Sequence, residues 1–202
     1  MQGGFHKKSQ PWLHIFRRPH PNQPVGFNDV IPPVNRATRQ ILDGMVIVKT
    51  LVGNGYIFDT AGVGETDADD VTREYFIAHG NNLDEQTDVR AANRLVGLSC
   101  AYPFELGTYQ FRKDVPYPLG SALTYGVDAE AGLIVPAEAG DVIIGYVSGD
   151  EDGPIDMGGP KAGTLLDVPG QPDGLVINGY NYANGMDTML RFRTDGSRKL
   201  AQ

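Results

Sequence analysis

The sequence predicts a mainly β protein: a small β-barrel or β-sandwich domain carrying an extended N-terminal arm and at most one short helix. Three observations predict it. Short apolar runs, several with a period of two, recur along the chain and are separated by glycine-bearing turns. The 26 glycines and 14 prolines make up about a fifth of the 202 residues, enough for many turns but below the level of a low-complexity chain. Residues 1–40 hold six of those prolines (Pro11, Pro19, Pro21, Pro24, Pro32 and Pro33) and sustain neither a strand nor a helix period.

The expected division is therefore 1–40, an extended basic proline-rich arm, and 41–202, a β-barrel domain. Proline stiffens the arm and keeps it extended. Trp12, Leu13, Ile15, Phe16, Phe27, Val30 and Ile31 make it too apolar for a solvated linker, so it is expected to lie on a surface. Its first 35 residues can reach ~120 Å, far enough to cross a neighbouring subunit. Ordering them costs on the order of 35–70 kcal/mol of backbone entropy, which calls for well over ~1,000 Å2 of apolar burial, more than a free monomer is expected to provide. Aromatic and arginine side chains concentrate interface energy, which singles out Trp12, Phe16, Arg17, Arg18, Phe27, Arg36 and Arg39 as partner-binding residues.

In the body, residues 45–51 (MVIVKTL) read as a strand, 53–55 as a turn and 56–58 as the returning strand of a hairpin. Residues 62–70 (GVGETDADD) form an acidic loop. Residues 73–78 read as a strand, with a short helix over 69–79 as the alternative. A short helix is expected over 84–95, capped by Asp84 or Thr87. Strands follow at 96–101 and 109–111. Residues 120–149 (GSALTYGVDAEAGLIVPAEAGDVIIGYVSG) hold three apolar runs: a strand at 123–125, an acidic turn at 128–132, and a strand at 133–135 that Pro136 ends or places at an edge. After a turn at 139–141 comes the apolar run 142–147, where Gly145 marks a bulge or a tight corner. Residues 149–163 are a glycine-rich acidic loop. The last strands are 176–178 and 189–194, the latter (MLRFRT) alternating as a half-buried strand does.

Charge is divided along the chain. In residues 1–40, Lys7, Lys8, Arg17, Arg18, Arg36 and Arg39 face Asp29 alone, a net +5, so the remaining residues carry −13 of the total −8. A basic arm on an acidic body points to an acidic protein surface rather than to nucleic acid, because the arm has no uninterrupted basic run and the body repels phosphate. No apolar run approaches the ~20 residues of a membrane span, and the polar first ten residues do not read as a signal peptide, so a cytoplasmic site of synthesis is expected.

Catalytic and cofactor signatures are missing. Cys100 is the sole cysteine, which excludes an intrachain disulfide and a cysteine zinc site, and it reads as a small buried hydrophobe. Gly53-x-Gly55 and Gly62-x-Gly64 lack the third glycine of a phosphate fingerprint. His6, His14 and His20 are separated by prolines and are not expected to share a metal. Two acidic groups, Asp67, Asp69 and Asp70, and Asp150, Glu151, Asp152 and Asp156, read as solvated surface, a weak structural cation site being the alternative. Tyr102, Phe104, Tyr109, Tyr117 and Tyr125 are expected to fill the core or an interface. No cofactor and no enzymatic activity are expected.

The order Gly-Ser-Ala-Leu-Thr at 120–124, an acidic turn, Gly-x-Ile-x-Pro-Ala at 132–137, Gly-Asp at 140–141 and Ile-Gly-Tyr-Val at 144–147 resembles the decoration, or head cement, proteins of tailed bacteriophages. The resemblance covers roughly residues 42–149. It implies a non-enzymatic virion protein on the capsid exterior, made in the host cytoplasm, whose partners are the major capsid protein and sister copies in a homotrimer. It implies no nucleic-acid or membrane partner. The long arm departs from a simple trimer contact and suggests reach to adjacent subunits. The alternatives are a tail-tube or baseplate β-barrel protein and a virion-associated glycan hydrolase.

Overall fold

The computed structural model describes residues 13–17, 44–52, 55–63, 73–80, 95–149, 153–159, 161, 185, 187–194 and 199–200. Thirteen strands are described and all pair antiparallel: β1 (Leu13–Arg17), β2 (Val46–Val52), β3 (Gly55–Thr60), β4 (Arg73–Gly80), β5 (Leu95–Ser99), β6 (Glu105–Thr108), β7 (Ala122–Tyr125), β8 (Ile134–Pro136), β9 (Val142–Ile143), β10 (Gly145–Val147), β11 (Ile155–Asp156), β12 (Thr188–Arg193) and β13 (Lys199–Leu200). The protein is mainly β, and the only helical turn among the described residues is the short 3-10 segment Asp128–Glu130.

Two sheets share one core. The larger runs β1-β6-β12-β10-β7-β8, with β11 also on β12; the smaller runs β3-β2-β4-β5, and β9 pairs with β13. Neither sheet closes on itself among the described residues, so the architecture is two packed antiparallel sheets rather than a closed barrel. Val46, Val48, Tyr75, Ile77 and Leu98 of the smaller sheet bury against Leu13, Leu106, Leu123, Ile134, Val147, Leu190 and Phe192 of the larger. Tyr75 and Tyr125 join the layers directly: their rings stack at 5.2 Å and their hydroxyls lie 3.1 Å apart.

Local sequence explains most elements. The apolar run Val46, Ile47 and Val48 is buried completely or nearly so, which covers both faces of β2, and Ile47 sits between Thr60 and Phe76 in register. Residues 73–80 are a strand, not a helix, because Tyr75, Phe76, Ile77 and Ala78 are buried on both sides by β2 and β5. Gly62 (φ +86°) turns the chain after β3; a Cβ there would meet the Gly126 carbonyl at 2.0 Å.

Five expectations change or fall outside the described residues. The strand expected at 109–111 lies earlier, at Glu105–Thr108; past Thr108 the chain leaves the sheet, and Phe111 only bridges Ile134. The run 142–147 is two strands, since Ile144 turns away: Val142–Ile143 pair with Lys199–Leu200, and Gly145–Val147 pair with β7 and β12. Gly145 sits where a Cβ would come within 2.5 Å of the Arg193 carbonyl oxygen, so the crossing of β10 over β12 needs a residue without one. Five residues of the arm, Leu13–Arg17, form the edge strand β1 on the chain's own body, because Leu13, with Ile15 packed beside it, fills the core beside Leu106. The helix expected over 84–95, apart from Leu95 in β5, and the strand at 176–178 lie outside the described residues.

Candidate interaction face

Alternation sorts the larger sheet into an inner and an outer face. Leu13, Leu106, Leu190 and Phe192 point into the core, so His14, Gly107, Arg191 and Arg193, at the positions between them, share the opposite face. Tyr146 of β10 stands in register with Arg193 and joins that face. The register of β1 on β6 shifts between Ile15 and Arg17, and this bulge turns Phe16 outward over Gly107. A bulge on an edge strand re-aims a side chain in this way. Gly107 has no side chain because Phe16 and Met189 fill the space: a Cβ would lie 2.8 Å from the Phe16 ring and 2.6 Å from Met189 Sδ.

The result is a stripe across β1, β6, β12 and β10. Arg191 lies over the Phe16 ring, its guanidinium carbon 4.5 Å from the centroid, and its Nη2 donates to Glu105 Oε1 at 2.7 Å. His14 stacks on Phe16 at 6.1 Å and meets the Tyr109 hydroxyl through Nε2 at 3.3 Å. Burial pulls the His14 imidazole below its ordinary value and pushes the Tyr109 phenol up, so the pair stays neutral at physiological pH. Beside them Tyr109 and Met189 are capped by Ile155 and Met157. Phe16 remains 45% exposed and Arg193 exposed. An aromatic ring held by a guanidinium and left half in solvent is an anchor geometry.

The sequence-predicted anchors divide accordingly. Phe16 is on this face, and Arg17 ends β1 in register with Glu105. Trp12, Arg18, Phe27, Arg36 and Arg39 lie outside the described residues. Sequence reasoning missed Arg191, Arg193, Tyr146 and Glu105. The arginines were visible as alternate residues of MLRFRT, but their meeting with Phe16 depends on β1 and β12 both landing on β6.

The remaining candidates separate by burial. Cys100 is fully buried and its thiol is pushed up by desolvation, the behaviour of a packing residue rather than a nucleophile. Phe104, Tyr109, Tyr117 and Tyr125 are buried, whereas Tyr102 is exposed. Among the described residues no three His, Cys, Asp or Glu side chains converge as metal ligands do. Of the two acidic groups only Asp156 is described, at the surface. No described helix is long and apolar enough to cross a membrane. Comparison with known proteins finds no matching family model, no matching curated protein and no matching solved structure.

Proposed function

We propose that the chain is a non-enzymatic structural protein of a phage particle that binds the outside of the assembled capsid and stabilises it. The observation that carries this reading is the outer face of the larger sheet, where a bulged edge strand from the basic arm sets Phe16 against Arg191 and leaves the ring and Arg193 in solvent. On a chain of net charge −8 this face is locally basic, Arg191 and Arg193 outnumbering Glu105. That combination suits a protein surface with acidic and apolar patches, for which the major capsid protein is the proposed partner. The resemblance of residues 42–149 to decoration proteins supports the same reading, with sister copies in a trimer.

The mechanism is thermodynamic. A subunit that binds the assembled shell and not its dissociated parts stabilises the shell by mass action. If each copy touches more than one capsid subunit, the second contact is made at high effective concentration. Cosedimentation with purified shells of the phage whose genome carries this sequence tests the reading. Wild-type protein is expected to pellet with shells, and Phe16→Ala to pellet far less. Failure of the wild type to bind, or a density map tracing the chain to the tail, overturns it.

A further inference from the structure

β1 is the detachable element of this fold. It is the outermost strand of the larger sheet and among the described residues pairs with β6 alone, so lifting it away leaves the order β6-β12-β10-β7-β8 intact. What it fills is a slot along β6. Leu13 is buried, Ile15 packs beside it against the core to which Leu106 belongs, and Phe16 covers Gly107, where a Cβ would lie 2.8 Å from its ring. A strand of this sequence makes the same contacts in that slot whether it comes from the same copy or from another, which is the condition for exchange of an element between copies.

The tether distinguishes the two sources. Leu13 stands opposite Thr108, and the Thr108 hydroxyl donates to the Gly44 carbonyl at 3.1 Å, so the chain entering β2 passes the Leu13 end of β1. Four residue steps carry Arg17 ~13 Å from that end, so a connection within one copy closes a gap of roughly 20 Å. Residues 18–43 supply 26 residues for it, a reach of ~85–95 Å and far more than the ~4–6 residues usual between neighbouring elements. Five of them are proline (Pro19, Pro21, Pro24, Pro32 and Pro33), which favours an extended course over a compact return. A folded body of 202 residues has a radius of gyration of roughly 16–17 Å, so two touching copies have centres roughly 40–45 Å apart, within the tether's reach.

We propose that β1 is exchanged between copies, residues 13–17 of one pairing with β6 of its neighbour. The contacts are the same in both arrangements, so local concentration decides between them. A tether holds β1 at its own β6 at an effective concentration on the order of mM or below; dilute copies therefore keep their own strand, and copies packed side by side exchange it. The face described above is then made by two copies, one giving His14 and Phe16 and the other Glu105, Tyr109 and Arg191, and each exchanged strand fastens neighbours together. The inference rests on reading the chain as one of many copies held side by side on a shell.

Arg17 and Glu105 stand in register, and opposed residues of an antiparallel pair have Cα atoms ~4.5–5.5 Å apart, within the ~4.4–6.8 Å that a disulfide spans. The test mixes two full-length variants, Arg17→Cys with an affinity tag and Glu105→Cys without one, from about 0.02 mM to about 2 mM in a glutathione redox buffer. The native Cys100 thiol is buried and out of reach. The disulfide joining positions 17 and 105 of different copies, read on non-reducing gels and by peptide mass spectrometry, is expected to rise about tenfold or more into the millimolar range. The double variant on one chain is expected to link within itself in dilute solution. Linkage between copies no greater than with an exposed control, Val127→Cys in place of Glu105→Cys, overturns the proposal at once, as does failure of the double variant to link at all. The measurement needs no capsid. Exchange without sedimentation on shells removes the shell reading and supports the exchange, and sedimentation without exchange does the reverse.

Discussion

At the residue scale, Gly145 and Ile144 divide one apolar run between two pairings. Gly145→Val places side-chain atoms against the Arg193 carbonyl oxygen, where even a Cβ comes within 2.5 Å, so β10 must separate from β12. Ile144, fully buried in the shared core, is expected to cost about 2–5 kcal/mol on truncation to alanine. Equilibrium denaturation of both variants checks this, and wild-type stability in the two would mean that β9 and β10 are not packed as described. The ion pairs make a separate prediction in acid. Arg112 holds Glu130 in a hydrogen-bonded pair, with Nε 2.8 Å from Oε1, and this lowers the Glu130 pKa despite some opposing desolvation. For Asp187, burial raises the pKa, but the hydrogen bond from Lys113 Nζ at 2.5 Å and its charge outweigh that and leave it lowered. A depressed folded pKa contributes stability above the ordinary carboxylate value that is lost as pH falls through the folded value. Stability should therefore decline in two stages as pH falls, first below about 6.5, where the unfolded chain protonates His14 and the buried imidazole resists it, and again from about pH 4.5 downward as the paired carboxylates titrate. Asp187→Asn should flatten the second stage more than Glu130→Gln, since the exposed Glu130 pair is worth only about 0–1 kcal/mol. Chemical denaturation across this range measures both.

At the element scale, β1 is two things at once. Its inner side chain Leu13 belongs to the core, and its bulged Phe16 belongs to the surface. Leu13→Ala is expected to lower stability by about 2–5 kcal/mol, whereas Phe16→Ala should leave the melting temperature nearly unchanged and weaken shell binding. Removing residues 1–12 leaves β1 in place, but removing 1–35 strips the sheet edge and exposes Leu106; a drop in melting temperature for the longer deletion alone checks this. How far these elements were legible in sequence depends on where their partners lie. β2, β7 and β8 carry their own signals, in apolar runs with glycine or proline nearby, and each has a hairpin mate close by, whereas β12 is marked by its alternation alone and pairs with distant strands. β6 carries no such signal, because Glu-Leu-Gly-Thr has little strand propensity and is a strand only between β1 and β12. The candidate face is hidden for the same reason: MLRFRT shows two outward arginines, but that Phe16 meets one of them is a matter of long-range register.

At the scale of the whole molecule, the outer face is a basic and aromatic patch on an acidic body, which would set the salt response of the proposed shell binding. Binding to shells should weaken with ionic strength, but modestly, because Arg191 already has Glu105 as its partner and exposed pairs contribute about 0–1 kcal/mol each. Sedimentation across a salt series measures this; tight binding of the free protein to DNA at physiological salt would contradict the protein-surface assignment. The position of β6 has a further consequence, in time rather than in space. Leu106 and Thr108 are flanked on one side by Leu13 and Ile15 and on the other by Leu190 and Phe192, so the middle of the chain waits for both of its ends. On a ribosome, β6 emerges with one neighbour already made and the other not yet synthesised. Its second edge stays open until residues 188–193 are released. Pairing across such separations is slow, since the loop must close before the contacts that reward closure form. A chain cut short before β12 would keep that edge unpaired and be prone to self-association. Completion of the larger sheet therefore waits for residues 188–193, and only copies that include them would present the Phe16–Arg191 face to a partner.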